Sequence, residues 1–210
     1  MKKYQGFTIV ELLIVIVVIG ILAALVLNSF NGAQNKAKQS SVLSDLRSNS
    51  SKIDQYMAIN DLAPTPAQVQ QDESAKLRLS GGGVYKVAAY CSAGDQYAIA
   101  AEITTGDKYY IQKGNQSIQD NTINPINICA TLGIVKSDGS AADTTYLGMS
   151  SSPCAAEGGG CTIAGVKSVA YGANGKFNIK ANASGTISCN NTTFGDPISG
   201  VRKSCYTLEY

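Results

Sequence analysis

Residues 12–27 run without a polar side chain, interrupted only by Gly20, and this run constrains the chain more than any other feature. From Phe7 to Leu27 the segment has the length of a helix that crosses a bilayer, roughly 20 residues. The flank before it, Met1-Lys2-Lys3-Tyr4-Gln5-Gly6, is short, polar and basic. Lys2 and Lys3 favour a cytoplasmic N-terminus. Lys36 and Lys38 on the far side weaken that bias, so the orientation rests mainly on a leader too short to have crossed.

Glu11 is out of place in this setting. An acid at a helix centre costs on the order of 2.5–3.5 kcal/mol on insertion, and less near the end. It either snorkels to the interface or takes a partner, and the segment offers no basic side chain. A cut between Gly6 and Phe7 would create one, because the new α-amine lies about one helical turn from Glu11. Within one chain that pairing is strained. Between staggered helices, the amine of one copy meets the carboxylate of the next, which offsets the burial at a single axial offset. The lone acid then acts as a register device.

Gly6-Phe7-Thr8-Ile9-Val10-Glu11-Leu12-Leu13-Ile14-Val15 resembles the processing site of type IV prepilins and their relatives: major and minor pilins, competence pilins and type II secretion pseudopilins. The likeness is dense from residue 1 to about residue 30 and only general beyond. It implies cleavage after Gly6 by an inner-membrane prepilin peptidase and N-methylation of Phe7. It also implies a role for Glu11 in subunit addition, and apolar helices packed as a filament core. Many family members carry a proline late in the apolar segment; here the sequence is Leu27-Asn28-Ser29-Phe30-Asn31-Gly32. A straighter helix is expected, with Gly20 as its flexible point.

Leu43, Leu46, Ile53 and Met57 fall on one helical face, with Ser50 in the gap. Gln39, Asp45, Arg47, Asn49 and Lys52 surround them. This predicts an amphipathic continuation docked on a head, ending near Asn60 before Pro64 and Pro66. A helix over 7–60 would be about 80 Å long. Sustained heptads are lacking, which disfavours a coiled coil. Residues 61–79 read as a connector with one short helix, and Ser80-Gly81-Gly82-Gly83 breaks the chain. Tyr85, Val87, Ala89 and Cys91 alternate, as do Tyr97, Ile99, Ala101 and Ile103, around the turn signal Ser92-Ala93-Gly94-Asp95. With residues 108–112 they predict three antiparallel strands. Residues 115–127 read as loop, 166–171 and 176–180 as a hairpin, and 186–189 and 204–210 as the last strands.

Six cysteines, Cys91, Cys129, Cys154, Cys161, Cys189 and Cys205, contain no C-x-x-C pair. Such usage indicates disulfides in an oxidising compartment, with partly free thiols as the alternative. Fifteen pairings are open. The short-loop set, Cys154–Cys161 and Cys189–Cys205 with Cys91–Cys129 remaining, is preferred among them.

The absence of histidine excludes Ser-His-Asp and Cys-His catalysis and imidazole-based zinc sites. No motif places a Ser-Lys or carboxylate mechanism, so neither enzyme activity, cofactor nor metal is expected. A net charge of +2 offers no concentrated basic face for nucleic acid. Losing Lys2 and Lys3 with the leader leaves fifteen basic against fifteen acidic side chains, a neutral subunit suited to dense packing. Asn182-Ala183-Ser184 and Asn191-Thr192-Thr193 match a short glycosylation pattern.

The expected fold class is α+β: a long N-terminal helix packed on an antiparallel β-sheet head with disulfide-bonded loops. The expected parts are a leader (1–6), a helix (7–60, of which 7–27 is the transmembrane or filament core) and a head (61–210). The leading functional reading is a structural subunit of a type IV pilus, with a major pilin first. It would form a helical homo-oligomer, be processed by prepilin peptidase, and be added by a pilus assembly platform. Before assembly it would sit in the cytoplasmic membrane, and afterwards in a surface filament for adhesion, twitching motility or DNA uptake. The alternatives are a minor pilin, a type II secretion-like pseudopilin, or an adhesive head that recognises a sugar or a host or neighbouring cell surface.

Overall fold

The computed structural model describes residues 8–81, 83–150, 152–174 and 176–209, without the side chains of residues 25–29. Helix α1 spans Ile9–Asn60, 52 residues, and is unbroken at Gly20 and across the proline-free stretch after Leu27. A Cβ at Gly20 would meet nothing within 4 Å, so packing within the chain gives no reason for a glycine there. The helix stops because Asp61 turns left-handed, with φ 62°, and its N–H closes on the Met57 carbonyl at 2.8 Å. Two units follow one another along the chain, divided between Gln39 and Ser40.

In the first unit the apolar side chains of α1 from Ile9 to Leu22 are exposed on every side, from 47% at Val18 to 85% at Ile9.

The second unit begins with the remaining turns of α1. Val42, Leu46, Asn49, Ser50 and Ile53 are buried at helical spacing, with Leu43 and Met57 at the margin. They pack on a five-stranded antiparallel sheet built from β1 (Tyr85–Ala93), β2 (Gln96–Ile103), β3 (Lys108–Gln112), β4 (Ile118–Gln119) and β5 (Asp143–Tyr146), in the order β4-β3-β2-β1-β5. Gly94 and Asp95 form the two-residue turn between β1 and β2, and Gly94 has φ 62°. The connector holds α2 (Gln68–Gln71), which buries Val69.

The alternation in β1 and β2 implied one buried face, but both strands are buried almost throughout. Their second face is covered by a 3-10 turn, Pro125–Asn127, and by α3 (Ile128–Thr131). Ile123, Ile128 and Cys129 pack there on Cys91, Ala98 and Ala100, and Cys91–Cys129 is a disulfide. The segment expected as loop, 115–127, thus supplies β4, the 3-10 turn and Ile123 of a second core layer, which Ile128 and Cys129 complete just beyond it.

A second sheet follows, in the order β6-β9-β7-β8. It comprises β6 (Ala155–Ala156), β7 (Gly160–Ala173), β8 (Lys176–Ser188) and β9 (Ser204–Leu208), with α4 (Asn191–Phe194) beside it. The β7–β8 hairpin is more than twice the predicted length, and residues expected as a separate late strand are the end of β8. Gly172 is required at its tip, where a Cβ would come within 2.0 Å of the Lys176 carbonyl oxygen. Farther down, the register shifts between Ile163 and Val169, and Gly165, Asn182 and Gly185 take positive φ. Disulfides Cys154–Cys161 and Cys189–Cys205 lie in a core with Val169 and Tyr171. Val87, Tyr146, Ala170 and Leu208 join this sheet to the first.

A charged network closes the end of the second sheet. Lys203, 4% exposed, pairs with Asp196 at 3.1 Å and Glu157 at 3.4 Å. The Tyr171 hydroxyl donates to Glu157 at 2.6 Å and lies 2.8 Å from the Asn191 side-chain amide.

Candidate assembly site

Thr8 and Glu11 form the first turn of α1. Thr8 is the N-cap: its hydroxyl accepts from the Glu11 N–H at 3.3 Å. Glu11 Oε2 accepts from the Thr8 N–H at 2.8 Å and from the Thr8 hydroxyl at 2.7 Å. This reciprocal capping box satisfies donors that a helix start leaves orphaned. A carboxylate in the first turn also meets the positive end of the helix dipole. Among the described residues no basic side chain approaches Glu11. The sequence reading sought a cation and missed Thr8, although T-x-x-E ahead of an apolar run signals such a box.

The helix beyond the box is apolar all round, and such a helix is stable only when surrounded by lipid or protein. Among the described residues no helix is long and apolar enough to cross a membrane. The described apolar side chains cover residues 9–24, about 24 Å of helix against a hydrocarbon core of about 30 Å. The rest of the run noted in the sequence, Phe7 and the side chains of residues 25–27, lies outside the described ones. Gly6 and Phe7, the expected cleavage pair, lie outside the described residues.

The other anticipated positions are in the second unit, where all six cysteines are paired as Cys91–Cys129, Cys154–Cys161 and Cys189–Cys205. Three polar residues that the sequence placed on the outer face of α1 are instead anchors, and Lys52 is one, donating to the Glu73 and Lys76 carbonyls at 2.9 and 2.8 Å. Asp45 accepts from the Ser80 N–H at 2.6 Å, from the Ser80 hydroxyl at 2.9 Å and from the Tyr85 hydroxyl. Asn49 donates to the Arg78 carbonyl at 2.7 Å and accepts from the Arg78 N–H at 3.0 Å. Among the described residues no cluster of ligating side chains suits a metal ion.

Residues 1–27 match the family model described as the prokaryotic N-terminal methylation motif. The chain therefore has a prepilin-type N-terminus, and that motif points to a membrane-anchored precursor. Among curated proteins, the type II secretion system core protein G of Klebsiella pneumoniae is 38% identical over 68 residues, 32% of this chain and 49% of the relative. The protein of the same name from Klebsiella michiganensis is 41% identical over 67 residues, 32% of this chain and 47% of the relative. That of Escherichia coli is 38% identical over 66 residues, 31% and 46% respectively. The chain spans about half the length of the curated relatives it matches. No solved structure matches it. Over about a third of its length the chain is similar to pilin-like proteins, and these relatives favour the pseudopilin alternative over the major pilin first expected.

Proposed function

We propose that the chain is a pseudopilin-type structural subunit that polymerises through α1 in a type II secretion-like assembly. Prepilin peptidase would cut between Gly6 and Phe7, releasing the leader and leaving Phe7 N-methylated. The precursor would rest in the cytoplasmic membrane with its N-terminus inside. Extraction into a filament would exchange lipid for neighbouring copies of α1.

One observation carries this reading: α1 opens on a carboxylate and continues with apolar side chains exposed on every face. Solvent cannot be the resting environment of that surface, which at roughly 25 cal/mol per Å2 favours burial strongly. In the filament Glu11 would face the freed amine of an adjoining copy. The Thr8 box would hold its carboxylate at the helix start until then. Gly20 would permit local helix adjustment as neighbours pack.

The deciding experiment combines N-terminal sequencing of the mature chain with Glu11→Ala and Glu11→Leu variants. The expected mature N-terminus is methylated Phe7, and both variants should insert normally but assemble weakly or not at all. Abundant ordinary filaments from either variant would falsify the proposal. Sheared surface pili built mainly of this chain at native expression would instead return the reading to a type IV pilus subunit.

A further inference from the structure

We infer that the groove between the 3-10 turn Pro125–Asn127, the start of β5 and the β7–β8 turn binds an acidic saccharide. This site goes beyond the assembly reading and does not rest on it. The groove encloses about 760 Å3, within the range of about 300–1,000 Å3 typical of small-ligand sites.

Its walls carry the side chains of Asn127, Thr144, Asn174 and Asn178. An amide presents both a donor and an acceptor, so it can pair with a sugar hydroxyl in either sense. Asn178 spends its Nδ2 on the Phe194 carbonyl at 3.0 Å, which fixes the side chain and leaves Oδ1 as an acceptor. No hydrogen bond engages the side chains of Asn127, Asn174 or Thr144 among the described residues. Asn174 is held in a left-handed turn conformation, φ 51°, so its place on the rim is fixed by the hairpin.

Phe177 supplies the apolar wall. Its ring stands edge-on to Tyr146 at 5.3 Å and to Tyr206 at 5.8 Å between centroids, which sets its orientation. A rigid aromatic among amides suits a ligand with one C–H face and many hydroxyls.

The charge balance selects the acidic form. Lys176 is exposed on the groove wall, with no carboxylate partner among the described residues. The carboxylate of Asp143, which also lines the groove, is engaged by Lys136 at 2.7 Å. The unspent charge is therefore positive.

The test uses the full chain in nanodiscs, before assembly, so that its outcome is separate from filament formation. Two probes are titrated by calorimetry: a hyaluronan hexasaccharide, which carries carboxylates, and neutral chitohexaose. Saturable binding is expected for both, tighter for the acidic probe. Asn127→Ala should weaken both by about fivefold, and Lys176→Gln should remove the preference for the acidic probe. Asn115→Ala, outside the groove, should change neither. The inference is overturned if neither probe binds saturably, or if binding survives Asn127→Ala and Lys176→Gln unchanged.

Discussion

Tyr97 on β2 meets Ser50 on α1 hydroxyl to hydroxyl at 2.7 Å, with both residues buried between helix and sheet. The same phenol donates to Asp54 at 2.8 Å, so one side chain ties two turns of α1 to the centre of the sheet. Burial pushes the phenol well above its ordinary pKa, which keeps it a donor at every physiological pH. Tyr97→Phe removes both links and leaves Ser50 buried, a loss of about 1–3 kcal/mol. Urea unfolding should show the lower midpoint with an unchanged slope.

Leu46 is fully buried beneath the sheet, and Leu43 lies at the edge of the same cluster. Leu46→Ala should cost about 2–5 kcal/mol, and Leu43→Ala clearly less. A reversed order in thermal unfolding would mean that the stripe docks by a different face.

Thr8→Ala deletes the N-cap of α1 and both hydroxyl contacts to Glu11. The expected cost is about 1 kcal/mol of local helix stability. It is read as faster amide exchange at Val10 and Glu11 in micelles, with Thr8→Ser restoring protection. Equal exchange in all three proteins would show that the box does not hold the helix start.

Two disulfides staple the second sheet across unequal loops, with sequence separations of 7 for Cys154–Cys161 and 16 for Cys189–Cys205. Loop-closure entropy predicts that replacing both Cys189 and Cys205 by Ser costs more, about 3 kcal/mol. The matching Cys154 and Cys161 replacement should cost less. Limited proteolysis should cut the first variant sooner, near residues 189–205.

The network around Lys203 makes the second sheet sensitive to acid. The Tyr171 hydroxyl, followed by the Lys203 N–H and ammonium, holds the Glu157 carboxyl below its usual range. A depressed carboxylate contributes stability above its unfolded pKa of about 4.3 and loses it as pH falls through the folded value. Burial opposes the charge on Lys203, but Asp196 and Glu157 outweigh it and raise its pKa, so that ammonium stays charged throughout the acid limb. Unfolding followed from pH 6 downward should show a loss of stability beginning near that unfolded value, and Glu157→Gln should flatten it. An unchanged acid limb in the variant would remove Glu157 as its source.

Local chemistry made part of this fold legible. The stripe of Leu43, Leu46, Ile53 and Met57, the stop at Asn60 and the turn at Gly94-Asp95 are all short-range signals. The cover on β1 and β2 was not legible, because Ile123 sits in the stretch read as loop, Ile128 just beyond it, and the Cys91–Cys129 link that holds them on the sheet spans 38 residues. The length of β7 and β8 was hidden by Gly165, Asn182 and Gly185, which break the alternation and read as loop. The reciprocal bonds of Thr8 and Glu11 could have been read from T-x-x-E, whereas the groove could not, since its walls are gathered from five separate stretches between Pro66 and Pro197.

Strand β8 lies at the rim of its sheet for thirteen residues, and its path is kinked where Asn182 and Gly185 turn left-handed. A long straight rim would invite hydrogen bonding by the same strand of another copy. Any polymer brings many heads to high local concentration, where such zipping would compete with ordered helical growth. In the filament proposed above, these kinks would disfavour such fusion and leave growth to contacts between copies of α1.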